Sequence, residues 1–231
     1  MKKIFISQSN YIPWKGYFDS ISKTDIFIIY DDMQYTKRDW RNRNLIKTPN
    51  GLKWLTIPVL VKGKYFQKIK ETKILNKKWI ESHLSILKQN YQNAKFFKEI
   101  WPWIETTYHS CSSKYLTEIN LHFINEINGF LRIKTEIKFS SEFELHTDRN
   151  LRLINICKEM NGTDYYSGPT AKSYMNNSLF EDNNIKIHYF DYSNYPQYSQ
   201  LHGGFEHGVS ILDLIFNEGI NSVKFLKERK S

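Results

Sequence analysis

The chain has 231 residues, 40% of them hydrophobic and 16% aromatic, and a formal charge of +9 at pH 7. That length buries a substantial core, and that apolar and aromatic content excludes a disordered polymer. No apolar run approaches the roughly 20 residues that span a bilayer, and no signal-peptide pattern follows Met1-Lys2-Lys3. The expectation is a cytoplasmic protein with no membrane span. Cys111 and Cys157, the two cysteines, are too few for a disulfide framework or a thiolate metal centre.

Residues 3–7 (Lys-Ile-Phe-Ile-Ser) read as a short buried strand. A turn through Pro13 and Gly16 leads into a helix near 16–23, and residues 26–30 read as a second buried strand ending at Asp31-Asp32. Strands joined through a helix pair in parallel, because a parallel pair needs a crossover. Pro49-Asn50-Gly51 turns the chain into a strand at 53–59. Trp79, Ile80, His83, Leu87 and Tyr91 recur at helical spacing, as do Ile119, Phe123, Ile127 and Phe130; they predict helices at 76–91 and 115–128, the second ending at Gly129. Asp148 reads as the N-cap of a helix bearing Leu151, Ile154 and Cys157, with Gly162 beyond its end. Strands at 164–167 and 185–191 and a closing helix at 209–217 complete the chain. The expected fold is a single α/β domain: a mostly parallel sheet from two Rossmann-like α/β halves, residues 1–70 and 147–231, with a helical insertion at 75–135. Ligands of open α/β sheets sit beyond the carboxyl ends of the strands, here Ser7-Gln8, Asp31-Asp32, Ser167-Gly168 and Asp191-Tyr192.

Three segments carry residues suited to chemistry. Directly after the first strand, Gln8 and Asn10 offer amides for a ligand, and Tyr11 and Trp14 offer flat walls for a base or sugar ring. The second segment is distinguished by arginine: only seven occur in the chain, and Arg38, Arg41 and Arg43 lie within six residues. Their forked donors match phosphate and carboxylate oxygens, and Tyr35, Lys37, Trp40 and Asn42 accompany them. The lysines outside this loop show no such clustering, so the reading is a small-molecule anion pocket rather than a basic stripe for nucleic acid. The third segment holds Tyr195, Gln197, His202 and His207 among Gly203, Gly204 and Gly208. An unperturbed histidine titrates near neutrality, so His202 or His207 is a candidate general base; Asp32, in the Asp31-Asp32 pair, is a third candidate catalytic group. The two loop histidines have no third ligand, and no metal is predicted. His83, on an apolar helix face, reads as a core histidine. Ser167-Gly168, between a strand and a helix, is placed to line the pocket.

These segments in this order resemble the WbqC-like family. The resemblance rests on Gln8-Ser9-Asn10-Tyr11-Ile12-Pro13-Trp14 with Gly16-Tyr17-Phe18, on Thr36-Lys37-Arg38-Asp39-Trp40-Arg41-Asn42-Arg43-Asn44, and on Trp54-Leu55-Thr56-Ile57-Pro58. Ser167-Gly168-Pro169-Thr170, Tyr195-Pro196-Gln197-Tyr198 and Phe205-Glu206-His207-Gly208 extend it over most of the chain. One departure is visible: the family usually reads His-Gln-Pro where this chain has Ser7-Gln8-Ser9, which removes those side chains at positions 7 and 9. The resemblance implies a cytosolic transferase of bacterial surface-polysaccharide (O-antigen, lipopolysaccharide) biosynthesis. It would acylate or aminoacylate the amine of a nucleotide-linked amino sugar, with an acyl donor that is an aminoacyl-tRNA, a thioester or an acyl phosphate. Two alternatives stand beside it: a non-catalytic nucleotide-sugar or RNA-binding component of the same pathway, and a nucleotidyl- or adenylyl-transferring enzyme.

Overall fold

In a computed structural model that describes residues 1–228, strand β1 (Lys3–Ser7) is the middle of a five-stranded sheet. On one side of it lie β2 (Ile26–Ile29) and β5 (Glu136–Phe139), and on the other β6 (Asp164–Ser167) and β7 (Lys186–Tyr189). Every pairing is parallel. The apolar runs of β1 and β2 follow from burial on both faces. Ile4, Ile6, Ile26 and Ile28 pack with Leu153, Ile154 and Cys157 of α5 (Arg149–Glu159) and with Phe180 of the short α6 (Asn177–Glu181). Phe5, Phe27 and Ile29 face the larger core, shared with α1 (Lys15–Lys23), α2 (Trp79–Tyr91), α3 (Phe97–Ser110), α4 (Leu116–Phe130) and α7 (Ile211–Glu218). No helix among the described residues is long and apolar enough to cross a membrane.

The chain adds strands outward from β1 through β2 to β5, then returns to add β6 and β7 on the far side. The order therefore reverses between β1 and β6, and a crevice opens beyond their carboxyl ends.

Several local expectations shift. The arginine-rich segment runs into strand β3 (Arg43–Thr48), which pairs antiparallel with β4 (Gly51–Thr56) as a separate two-stranded hairpin, so the strand expected at 53–59 is earlier and shorter. Gly51 supplies the positive φ of +99° that this tight turn requires. Helix α3 is unannounced because Pro102 lies inside it; Ile100, Ile104, Thr107 and Tyr108 bury its inner face all the same. Strand β5 is not expected from the sequence, being a four-residue strand at the sheet edge with a charge at alternate positions. Helix α4 runs through Gly129, and the left-handed residue past its end is Arg132, at φ +57°. Gly162 does lie past α5, but for proximity: a Cβ there would sit 2.3 Å from Ile4 Cδ1.

Candidate functional site

A cavity of about 830 Å³ fills the crevice beyond β1 and β6. Ser7, Gln8 and Asn10 line it from the end of β1, Ser167 and Gly168 from the end of β6, and Arg149 and Arg152 from the start of α5. Asp148 caps that helix, accepting from the Asn150 and Leu151 amides at 2.9 and 2.8 Å, which fixes where the two arginines begin. Arg152 donates to the carbonyls of His146 (2.6 Å) and Thr147 (3.2 Å) and to the Tyr30 hydroxyl (3.1 Å). Arg149 lies with its guanidinium carbon 4.9 Å from the Tyr174 ring centre. Arg41 reaches the same cavity from the opposite loop, its fork donating to the side-chain oxygens of both Gln8 and Asn10. These two amides thus aim the guanidinium. Among the described residues no aspartate or glutamate lines the cavity, so three guanidinium groups face it without a carboxylate in its walls; Asp39, outside the lining, approaches Arg41 at 3.7 Å. Such a lining suits an anion by charge and by donor geometry.

Trp14 forms part of the wall, with its ring 5.2 Å from that of Tyr192 and 5.5 Å from that of Tyr195. Its indole lies against the first turn of α1, where a Cβ on Gly16 would come within 2.3 Å of Trp14 Cζ2. Glycine at 16 is what lets the ring lie there.

A second cavity, about 300 Å³ and mostly apolar, adjoins the first and shares Asn10 and Trp14 with it. Pro13, Trp40, Asn44, His207 and Gly208 complete its lining. Partial burial and the charge of Lys15 push the His207 imidazole below its ordinary value, against the opposing pull of Glu206; the shift favours the neutral ring, the form able to accept a proton. Lys15 itself is buried. Its ammonium donates to the Pro196 carbonyl at 2.6 Å and lies 5.2–5.5 Å from the ring centres of Tyr195, Tyr198 and Phe205. Burial pushes it down to about 8, with Asp19 opposing.

The remaining candidates lie elsewhere. Tyr11 is in the core, in a buried chain whose direction can be read: the Thr56 carbonyl, 3.2 Å away, can only accept, so His83 Nε2 carries the proton. Nδ1 then accepts from the Tyr11 hydroxyl (2.9 Å), and that oxygen accepts from Tyr108 (2.8 Å). Tyr35 is also buried, and burial pushes its hydroxyl up to about 12. Asp31 is a brace, accepting from the Ser9 amide (2.8 Å) and from the hydroxyls of Ser9 and Thr117 (both 2.6 Å). Asp32 meets Lys70 at 2.5 Å, Lys68 at 3.6 Å and the Ser140 hydroxyl at 2.8 Å, outside both cavities. Burial pushes its carboxyl up, but these partners outweigh burial and hold it below the ordinary range.

Lys37 and Arg38 are exposed on a turn where Arg38 takes φ +59°. Arg43 turns away from the crevice, its guanidinium 3.9 Å from the Trp54 ring centre and donating to the Arg38 carbonyl. The Asn42 amide is spent on the Ile57 carbonyl at 2.8 Å. Tyr195 donates to Asp19 at 2.7 Å, and Gln197 is exposed. His202, at φ +76°, donates from Nε2 to the Asn90 carbonyl at 2.8 Å. The glycines beside it are held by the buried Lys47, whose ammonium donates to the Gly204 carbonyl and, at 2.8 Å, to Gln200. The crevice therefore gathers Gln8, Asn10, Trp14, Arg41, Ser167 and Gly168, and the slot adds Trp40 and His207.

Arg149, Arg152 and Lys15 are not among the residues the sequence singles out. The first two satisfy the scarcity criterion that singled out Arg38, Arg41 and Arg43, since they are two of the remaining four arginines and stand three apart. Lys15 had only its place inside the Gln8–Phe18 block to mark it.

The profile of the WbqC-like protein family matches residues 8–225, a span that includes Arg41, Arg149, Arg152 and His207. A protein of Mycobacterium tuberculosis described as "Uncharacterized protein Rv1507c" is 48% identical over 227 residues, 98% of each chain. No solved structure matches the chain.

Proposed function

The chain belongs to the WbqC-like protein family, and on that premise we propose that it is a cytosolic transferase of bacterial surface-polysaccharide synthesis that acylates the amine of a nucleotide-linked amino sugar. The observation that carries this reading is the convergence of Arg41, Arg149 and Arg152 on one crevice with no carboxylate in its lining. A nucleoside diphosphate supplies the anion that such a set is built to hold, and Trp14 and Tyr192 give its base or sugar ring a surface to lie on.

The adjoining slot then receives the sugar amine and the acyl group. His207 takes one proton from the ammonium, the freed amine attacks the acyl carbon and the new C–N bond forms; the bond to the donor's leaving group breaks with its electron pair, and that group takes the second nitrogen proton. Lys15, a cation beside His207, favours the imidazole that can accept that proton over the imidazolium that cannot. The test is calorimetric titration with a panel of UDP-, dTDP- and GDP-linked amino sugars, followed by mass spectrometry for the amide product with each donor class. Binding of one member with amide formation supports the proposal; absence of binding by every nucleotide sugar overturns it.

A further inference from the structure

The lysines do not cluster as the arginines do, which argues against a basic stripe, but the absence of acid changes that: between Trp40 and Lys70 the chain carries six lysines and two arginines and not one aspartate or glutamate. Of the six exposed aromatic side chains among the described residues, four lie in this stretch: Trp40 (43% exposed), Trp54 (39%), Tyr65 (75%) and Phe66 (82%). They form two pairs. Trp40 and Trp54 stand 5.2 Å apart at 46°, with the Arg43 guanidinium on Trp54. Tyr65 and Phe66 meet edge to face at 4.9 Å and 90°, at the tip of the loop after β4. That loop is fastened beside the arginine segment: the Tyr35 amide donates to the Gln67 carbonyl at 2.9 Å, and the Gln34 side chain to the Tyr65 carbonyl at 2.8 Å. Exposed cations flank both pairs, Lys37 and Arg38 by the first and Lys62 and Lys64 by the second. Among the described residues, no carboxylate pairs with any of these four; nearby, Asp39 goes to Arg41 and Asp32 to Lys68 and Lys70.

We propose that this strip binds single-stranded RNA, with bases stacking on the two aromatic pairs and phosphates on the flanking cations. Open ring faces alternating with unpaired cations are the two components of sequence-tolerant single-strand recognition. An anionic membrane would also meet the charge. It is the less favoured occupant, because Trp40 and Trp54, 43% and 39% exposed, offer ring faces for stacking but too little free surface to insert among acyl chains. The strip ends at the catalytic slot, since Trp40 belongs to both. Read together with the proposed acyl transfer, and resting on it for this point alone, that favours an acyl donor carried on a polynucleotide end.

The test is fluorescence anisotropy with a labelled single-stranded RNA of roughly 12 nucleotides, a duplex of the same length, and sedimentation with phosphatidylglycerol vesicles. Tyr65→Ala/Phe66→Ala should weaken single-strand binding about ten-fold or more while leaving the salt dependence unchanged. Lys62→Ala/Lys64→Ala should lower the log–log salt slope by about 1.4. Both variants should keep the wild-type affinity for a nucleotide sugar. Equal binding of duplex and single strand, an unaffected Tyr65→Ala/Phe66→Ala variant, or ring-dependent binding to vesicles in place of RNA would each overturn the proposal. Arg41→Ala separates the two readings, because it should lose nucleotide sugar and retain RNA.

Discussion

Arg41 and Arg43 are two residues apart, yet the structure assigns them opposite behaviour. The Arg41 fork is aimed by Gln8 and Asn10 into the crevice, whereas Arg43 lies on Trp54 outside it. Removing Arg41 deletes one charge-assisted contact to a bound diphosphate, a loss of about 1.5–3 kcal/mol, or roughly ten- to 150-fold in affinity. Its backbone should stay in place, because the Arg41 carbonyl accepts from the Asn120 amide at 2.9 Å. The structural cost is the two amide oxygens left facing the cavity and the loss of the long, part-exposed ion pair with Asp39 at 3.7 Å. We expect about 1 kcal/mol or less from that source, a fall of some 2–4 °C in melting temperature for a chain of this size. Titration calorimetry and thermal melts on one preparation of wild type, Arg41→Ala, Arg43→Ala and Arg149→Ala measure both quantities. Arg149→Ala should follow Arg41→Ala, and Arg43→Ala should bind nucleotide sugar like wild type. If Arg43→Ala loses as much affinity as Arg41→Ala, the basis of recognition is the charge of the whole segment, and the crevice geometry is not its explanation.

Burial lowers His83 from 6.5 to about 4, so the unfolded chain binds more protons than the folded one between those values, and stability is full above pH 6.5 and lost as pH falls toward 4. That loss is roughly 3 kcal/mol, and His83→Gln should flatten melting temperature against pH between 5 and 6.5; parallel profiles would refute it. His207→Gln should keep the wild-type melting temperature, because no hydrogen bond of its side chain is present among the described residues, while turnover falls by ~10²–10⁴; a destabilised but fully active variant would remove His207 from catalysis. Lys15→Met should move the acidic limb of the rate–pH profile upward, since the Lys15 charge helps hold His207 down, and an unmoved limb would refute that electrostatic coupling. Gly16→Ala should displace the Trp14 indole, costing about 1–3 kcal/mol of stability and weakening nucleotide-sugar affinity, seen as changed tryptophan emission and by calorimetry; an unchanged spectrum and affinity would refute the close approach.

Elements were legible where one local signal sufficed. The uninterrupted Ile4-Phe5-Ile6 run gave β1 at its true bounds, Asp148 gave the start of α5, and the short run before Ser167-Gly168 gave β6. What the sequence could not show was direction. Arg38, Arg41 and Arg43 look like one cluster in a string, but β3 begins at Arg43, and from there the hairpin rather than the crevice decides where side chains point. Tyr11 and Trp14 look alike as aromatic walls, yet Tyr11 sits beneath the loop against α2 and α3, while Trp14 caps α1 at the cavity mouth. The order reversal at β1 and β6 needed the pairing of strands that stand about 160 residues apart. Without it, nothing brings Arg149 and Arg152 across from Arg41.

Asn10 holds Arg41 by its side-chain oxygen and also forms part of the slot that His207 lines. The crevice and the slot should therefore not fill independently: an anion that draws Arg41 toward itself would pull on a residue in the neighbouring wall. Linkage makes such a coupling symmetric, so whatever factor a ligand in the slot imposes on affinity in the crevice must be returned unchanged in the other direction. Two titrations, each performed with the other ligand saturating, would close that thermodynamic cycle, and the Asn10→Ala variant should uncouple it.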